Sequence, residues 1–400
     1  MFYPKRPIWA YSLPSALLLM APFDILASLA MDIYLPVVPA MPAALGTTPD
    51  VIQLTLSLYM VTLGLGQLVF GPISDRIGRR PVLIGGGLLF AGASFLLAGT
   101  SLATAFVALR VLQAIGASAV LVATFATVRD VYAQRHEGTV IYGLLSSMLA
   151  FVPALGPIAG TLIADSFGWR AIFITLAVLA MLATFQAWLR WHETKPSNGD
   201  RPHAVFPSIL GSFAFWTYTL GFAAAMGTFF VFFSTAPRVL IDRAGFSQIG
   251  FSFAFATAAL VMIATTRFAK AFTGRWGIAG SLARGMAMLL VGAAMLAIGQ
   301  LFAAPSFATF ILPTWMMAAG IVFAASVTAN GALEAFTDVA GTAVALYFCV
   351  QSLIVGIAGT FFVLLLGGDT AWPLACYAAV FAAMTLGALS LLPSRQAKNA

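Results

Sequence analysis

Charge is scarce in this chain. Lys, Arg, Asp and Glu make up 8% of 400 residues, where soluble domains carry about 25%. That deficit excludes a soluble protein with a large core, as do the 61% hydrophobic content and a mean hydropathy of +0.98. Cysteine is scarcer still: Cys349 and Cys376 are the two, both in apolar runs, so neither a disulfide framework nor a CxxC site is available. His136, His192 and His203 all fall outside the apolar runs, which excludes a histidine-based metal or protease centre inside a membrane. Long polar stretches are missing too. The longest, "RWHETKPSNGDRPH" at 190–203, leaves no room for a separate soluble domain.

What is present is a succession of apolar runs of about 20 residues, the pattern of a polytopic helical membrane protein. Twelve membrane helices are predicted, at 14–38, 51–70, 81–99, 104–127, 139–163, 171–189, 209–235, 248–267, 282–302, 306–330, 340–366 and 372–392. The first is too long for a signal-peptide core of about 7 to 15 residues and reads as a retained helix. An even count puts both termini on one side. With that side inside, Lys5, Arg6, Arg76, Arg79, Arg80, Arg129, Arg135, Arg190, Lys195, Arg201, Arg267, Lys270, Arg275, Arg284, Arg395 and Lys398 are all inner, 16 of the 20 basic residues. The outer loops hold Arg170, Arg238 and Arg243. The positive-inside rule therefore predicts cytoplasmic termini. It also accounts for the net charge of +7 without a nucleic-acid partner.

The polar stretch 190–208 divides the chain into halves, 1–189 and 209–400, of six helices each. The loop "GPISDRIGRRP" after span 2 has a fainter counterpart, "KAFTGRWGIAG", after span 8, with Gly78-Arg79-Arg80 aligned on Gly274-Arg275-Trp276. Such internal symmetry is expected of two parallel repeats enclosing a central site.

With the charges of the loops and span ends set aside, three remain inside the membrane: Asp24, Asp32 and Arg110. A carboxylate at the middle of a membrane helix costs roughly 2.5 to 3.5 kcal/mol, so each needs a reason. The eight residues between the aspartates make about 12 Å of rise and 80° of rotation, too far apart to share one proton. Depth along the predicted spans places Asp24 near the midplane, with Asp32 and Arg110 both in the outer third. An Asp32–Arg110 ion pair is expected. Asp24 is left without a counter-charge, and taking up a proton would relieve it of that burden. The alternative is that all three form a structural network between helices 1 and 4.

Several stretches resemble the major facilitator superfamily. "GPISDRIGRRPVL", 71–83, closely matches its loop 2–3 signature, with Gly71 at the end of span 2 and Gly78 in a tight turn. In that family the acid and second arginine of the motif form an inner gate with an acid at the end of helix 4. Asp75, Arg79 and Asp130 hold those positions here, with Arg80 beside them. "RVLQAIGASA", 110–119, resembles the helix-4 motif of proton-coupled members, with Ala114 where glycine is usual. "PALGPIAGTL", 153–162, resembles the helix-5 motif of antiporters: Gly156 and Gly160 make a small-xxx-small surface and Pro157 can bend the helix. "MDIYLPVVPAMP" on helix 1 is similar to drug:proton antiporters of the bicyclomycin and chloramphenicol type. Stretches such as "FFVFFSTAPRVLI" and "SVTANGALEAF" extend the likeness to chloramphenicol/florfenicol exporters into the second half.

The resemblance implies an all-α membrane protein with two six-helix bundles in pseudo-twofold arrangement, the major facilitator fold. It implies proton-coupled efflux of phenicol drugs across the bacterial inner membrane by a monomer, with protons as coupling ion and no cofactor. A broader multidrug or metabolite exporter of the same fold is the alternative. A neutral, ring-bearing phenicol wants an aromatic pocket with a few polar groups. Asp24, Asp32, Tyr34, Tyr59 and Gln113 in the first half, and Phe233, Tyr347 and Gln351 in the second, are the candidates to line it. No nucleophile–histidine or metal constellation lies within the spans, so an enzyme is not expected.

Overall fold

The computed structural model describes residues 9, 11–132, 136–195, 206–336 and 340–392. Every regular element among them is helical. A backbone in lipid must satisfy its own polar groups, and a helix does so within one segment. Among the described residues, eleven helices are long and apolar enough to cross a membrane, and a shorter apolar helical stretch, Phe151–Phe167, lies in a further one. Lys5, Arg6, Arg135, Arg201, His203, Arg395 and Lys398, and 196–205 of the expected linker, lie outside the described residues.

By internal packing the chain divides into two compact units, Met1–Arg201 and Pro202–Ala400. In the first, α1 (Leu13–Asp32) continues through a 3-10 turn, Leu35–Ala40, and a last turn, Met41–Leu45. Then come α2 (Pro49–Ile77), α3 (Arg79–Gly99), α4 (Ala103–Tyr132), α5 (His136–Phe167) and α6 (Arg170–Arg190). Prolines at the first turn, as at Pro14 and Pro49, start helices where an N–H has no partner to lose. Helix α4 packs on α2 and α3, and α1 packs on α4, α5 and α6. The α3–α4 contact is close because Gly116 lets the backbones meet: a Cβ there would lie 2.6 Å from the Phe90 nitrogen.

In the second unit α7 (Phe213–Pro237) is followed by one helical run, Gln248–Phe302, which supplies α8 (248–276) and α9 (278–302). Helices α10 (Leu312–Leu333), α11 (Ala340–Leu366) and α12 (Trp372–Ser390) complete it, and α7 touches α10, α11 and α12.

Four expectations need correction. The stretch expected to loop between spans 8 and 9 is helical, broken only at Gly277 (φ 70°, ψ −179°). The α2–α3 break falls at Gly78 (φ 111°, ψ 159°), so the conformational counterpart of Gly78 is Gly277, not Gly274. Both angles lie where a side chain is disfavoured. Asp75 sits on the last turn of α2 rather than in the loop, whereas Asp130 lies on the last turn of α4, at the helix-4 end expected of it. Finally, the first helical run extends over Leu13–Leu45, because a 3-10 turn accommodates Pro36 and Pro39 where the sequence suggested an end at residue 38. Its midpoint is Leu29, so Asp24 and Asp32 stand on either side of the middle.

Candidate functional site

Arg110 on α4 is wholly buried in the first unit. One guanidinium nitrogen, Nη1, donates to the Ala30 carbonyl on α1 at 3.0 Å and to Gln113 Oε1 at 2.7 Å. Residues three apart on a helix share a face, which lets Gln113 reach back to Arg110. The Gln113 amide nitrogen donates to Ser94 Oγ on α3 at 2.8 Å. The rings of Tyr59 and Tyr34 lie 4.7 and 5.2 Å from the guanidinium carbon. A desolvated cation–π contact contributes about 2 kcal/mol, offsetting part of the cost of burial. Tyr59 in turn donates its hydroxyl to the Ala27 carbonyl at 2.8 Å. Arg110 Nε and Nη2 find no acceptor among the described residues.

The expected Asp32–Arg110 ion pair is not formed. Among the described residues no ion pair joins them: the arginine is held by a carbonyl, an amide and two rings. Asp32 is buried at the end of α1, beside the 3-10 turn. The helix-5 glycines lie against it. A Cβ on Gly156 would come 2.8 Å from Asp32 Cβ, and one on Gly160 would come 1.9 Å from the Ile33 carbonyl oxygen. Both glycines are therefore seats for the α1 turn that carries Asp32 and Tyr34, and Pro157 lies between them. Asp24 is buried on α1, and its Oδ2 has no donor among the described residues.

A second cluster surrounds the α2–α3 break. Arg79, 2% exposed, places Nη1 2.5 Å from Asp75 Oδ1 and Nε 2.8 Å from Asp130 Oδ2. Its Nη1 also donates to Ser74 Oγ at 3.2 Å. Asp130 is nearly as buried as Arg79, whereas Asp75 is 61% exposed. Arg80 points elsewhere and donates to the Trp188 carbonyl. Gly71 stands in open space, where an added Cβ would touch nothing.

Sequence reasoning missed Ser94 and Glu193. Ser94 looks like any other small polar residue of a membrane helix. Glu193 follows α6, and its contacts with the α2–α3 turn span more than a hundred positions of sequence.

In the second unit, Tyr347 is buried against Phe222, with ring centroids 5.0 Å apart, and its hydroxyl donates to Thr328 Oγ1 at 2.9 Å. Gln351, also buried, accepts from Ser352. Phe233 packs among Phe229 and Phe255. Phe229 and Phe232 line a small apolar recess between α7, α8 and α10 with Met262, Thr314 and Met317. Tyr347, Gln351 and Phe233 do not line that recess. Among the described residues, no cluster of three or more His, Cys, Asp or Glu could hold a metal.

Residues 23–360 match the family model of the Major Facilitator Superfamily. The chain belongs to that superfamily. It is a multi-pass transporter of the bacterial inner membrane, not an enzyme. Among its relatives, a "Chloramphenicol resistance protein" of Pseudomonas aeruginosa is 50% identical over 384 residues, covering 96% of this chain and 92% of the relative. "Multidrug resistance protein D" of Escherichia coli (strain K12) is 28% identical over 82% of this chain and 83% of its own length. "Multidrug resistance protein MdtL" of an Escherichia coli O17:K52:H18 strain is 30% identical, over 54% of this chain and 56% of its own. This major facilitator transporter thus has drug-resistance relatives at both near and remote distances.

Proposed function

We propose that this transporter exports phenicol antibiotics, florfenicol and chloramphenicol, across the inner membrane in exchange for protons. The cargo rests on one observation, the 50% identity with a chloramphenicol resistance protein over nearly the whole of both chains. Proton coupling is supported by the buried charges of the first unit, which a passive channel would not need. The topology we assign is twelve crossings with cytoplasmic termini: one six-helix half over 1–189, a linker over 190–208, and a second half over 209–400. The protein acts by alternating access, as a monomer, with the proton as coupling ion and no cofactor.

In the cycle, an outside proton neutralises Asp24, which weakens drug binding and favours return of the empty site. Proton release inside re-arms it. Arg110 supplies a fixed positive charge beside this event. Asp32, free of an arginine partner, is placed to share the proton role. Tyr34, Tyr59 and Gln113 hold Arg110 and shape the drug site from the first unit. Phe233, Tyr347 and Gln351 contribute from the second. Asp75, Arg79, Arg80 and Asp130, with Gly71 and Gly78, form the inner gate, and Gly156, Pro157 and Gly160 seat the helix-1 turn. Exchanging one proton for a neutral drug moves charge inward, so the membrane potential adds about 2.3 kcal/mol per 100 mV.

The second reading is a broader multidrug exporter, favoured by the more remote multidrug relatives. A susceptibility panel in an efflux-deficient host separates the two. Resistance confined to phenicols supports the proposal. Equal protection against unrelated drugs favours the rival, and no protection against either phenicol overturns the cargo.

A further inference from the structure

Glu193 stands three residues beyond α6, on the chain that leaves the first unit, yet its carboxylate is committed to the α2–α3 turn. Oε1 accepts the Arg79 backbone N–H at 2.8 Å, and Oε2 accepts that of Arg80 at 3.1 Å. Oε1 also accepts the N–H groups of Thr194 and Lys195, at 3.0 and 2.9 Å. Arg79 and Arg80 open α3, so their N–H groups are among the four a helix start cannot satisfy internally. The negative charge also faces the positive end of the helix dipole.

The turn is shaped around this carboxylate. Gly78 has positive φ, and a Cβ there would lie 2.3 Å from Glu193 Oε2, so a side chain would expel the glutamate. Two further bonds join the same segments: Lys195 Nζ donates to the Arg76 carbonyl, and Arg80 Nη2 donates to the Trp188 carbonyl at 2.7 Å. The stretch 188–195 is thereby stitched to 76–80 on both sides of the helix break. Arg79 is gripped twice, by its backbone N–H at Glu193 and by its side chain at Asp75 and Asp130.

We propose that Glu193 is a positioning residue for the gate: it sets the first turn of α3 so that Arg79 spans Asp75 and Asp130, and it ties the exit of the first unit to that turn. The inference rests on the gate reading given above. A glutamate that merely ended α6 would not need the N–H groups of α3.

The test uses the full chain in everted membrane vesicles, carrying Thr194→Cys as a reporter with Glu193 intact, Glu193→Gln or Glu193→Ala. Three quantities are read: the amount of protein in the membrane, the rate of labelling by a membrane-impermeant maleimide, and kcat and KM for florfenicol export. Glutamine keeps one acceptor oxygen and alanine none, so labelling should accelerate about threefold and about tenfold respectively. In Glu193→Ala, kcat should fall about tenfold with KM unchanged, since the gate and not the drug site is disturbed. Equal labelling rates in the three chains would overturn the clasp, whatever the cargo. Faster labelling with unchanged kcat would overturn the positioning role. An unmutated chain that labels slowly but exports no florfenicol would instead refute the cargo reading and leave the clasp standing.

Discussion

Gly160 of α5 rests against the carbonyl of Ile33 so closely that a Cβ would stand 1.9 Å from the oxygen. The obstacle is backbone, and it belongs to the turn between Asp32 and Tyr34. Gly160→Ala should therefore displace that turn, destabilising the protein by about 1 to 3 kcal/mol and removing transport. Gly92→Ala is the matched control, because a Cβ there meets nothing. Thermal unfolding in detergent and florfenicol resistance check the pair. Equal tolerance of both substitutions would contradict the packing.

The two carboxylates around Arg79 should differ in weight. Asp130 is buried with the arginine, and breaking a buried pair costs about 3 to 5 kcal/mol. Asp75 is 61% exposed, and an exposed partner contributes about 1 kcal/mol or less. Asp130→Ala should therefore lower thermal stability far more than Asp75→Ala. The reverse order, in unfolding curves of the purified protein, would contradict the assignment.

Arg110 should not tolerate lysine. The charge survives Arg110→Lys, but the planar group bonding Ala30 and Gln113 while facing two tyrosine rings does not. Transport should fall at least about tenfold, with normal amounts of protein in the membrane. Full activity of the lysine variant would reduce the role of Arg110 to its charge.

Asp369, in the turn between α11 and α12, accepts from Arg243 Nε at 2.9 Å and from Nη2, with Arg238 also near. Partial burial pushes its carboxyl up, but the Arg243 hydrogen bonds and the two positive charges outweigh this and hold it below the ordinary 3.8. A carboxyl depressed in the folded state contributes stability above its unfolded value and loses it as pH falls through the folded value. Arg243 is 58% exposed, so solvent screens the pair. Asp369→Asn should lower the unfolding temperature by about 1 to 2 °C at pH 7, and the gap should close below about pH 4. A gap independent of pH would contradict the linkage.

Much of the fold was legible because a membrane allows few solutions. A charge in an apolar run stands out, so Asp24, Asp32 and Arg110 could be singled out from the sequence. What holds Arg110 could not, since two tyrosine faces and a backbone carbonyl leave no mark in spacing. The expected partner, Asp32, was reasonable on charge and wrong on geometry. The first span was expected to end at residue 38, but a 3-10 turn carries the helical run on to Leu45, and that shifted both aspartates in depth. Glycines were visible as spacing, but whether Gly274 or Gly277 breaks α8 from α9 depends on a dihedral angle that both can adopt. Glu193 was hidden for a different reason: its partners are backbone N–H groups, which every residue near it in space could offer.

Florfenicol uptake into energised everted vesicles, with and without a protonophore, tests proton-driven export most directly when Asp24→Asn is run beside the unmutated chain. Coupling through Asp24 predicts uptake that collapses with the protonophore in the unmutated chain and is absent in the variant, which should still equilibrate the drug down its gradient. Uptake indifferent to the protonophore, or an Asp24→Asn variant that accumulates drug as well as the unmutated chain, would contradict it.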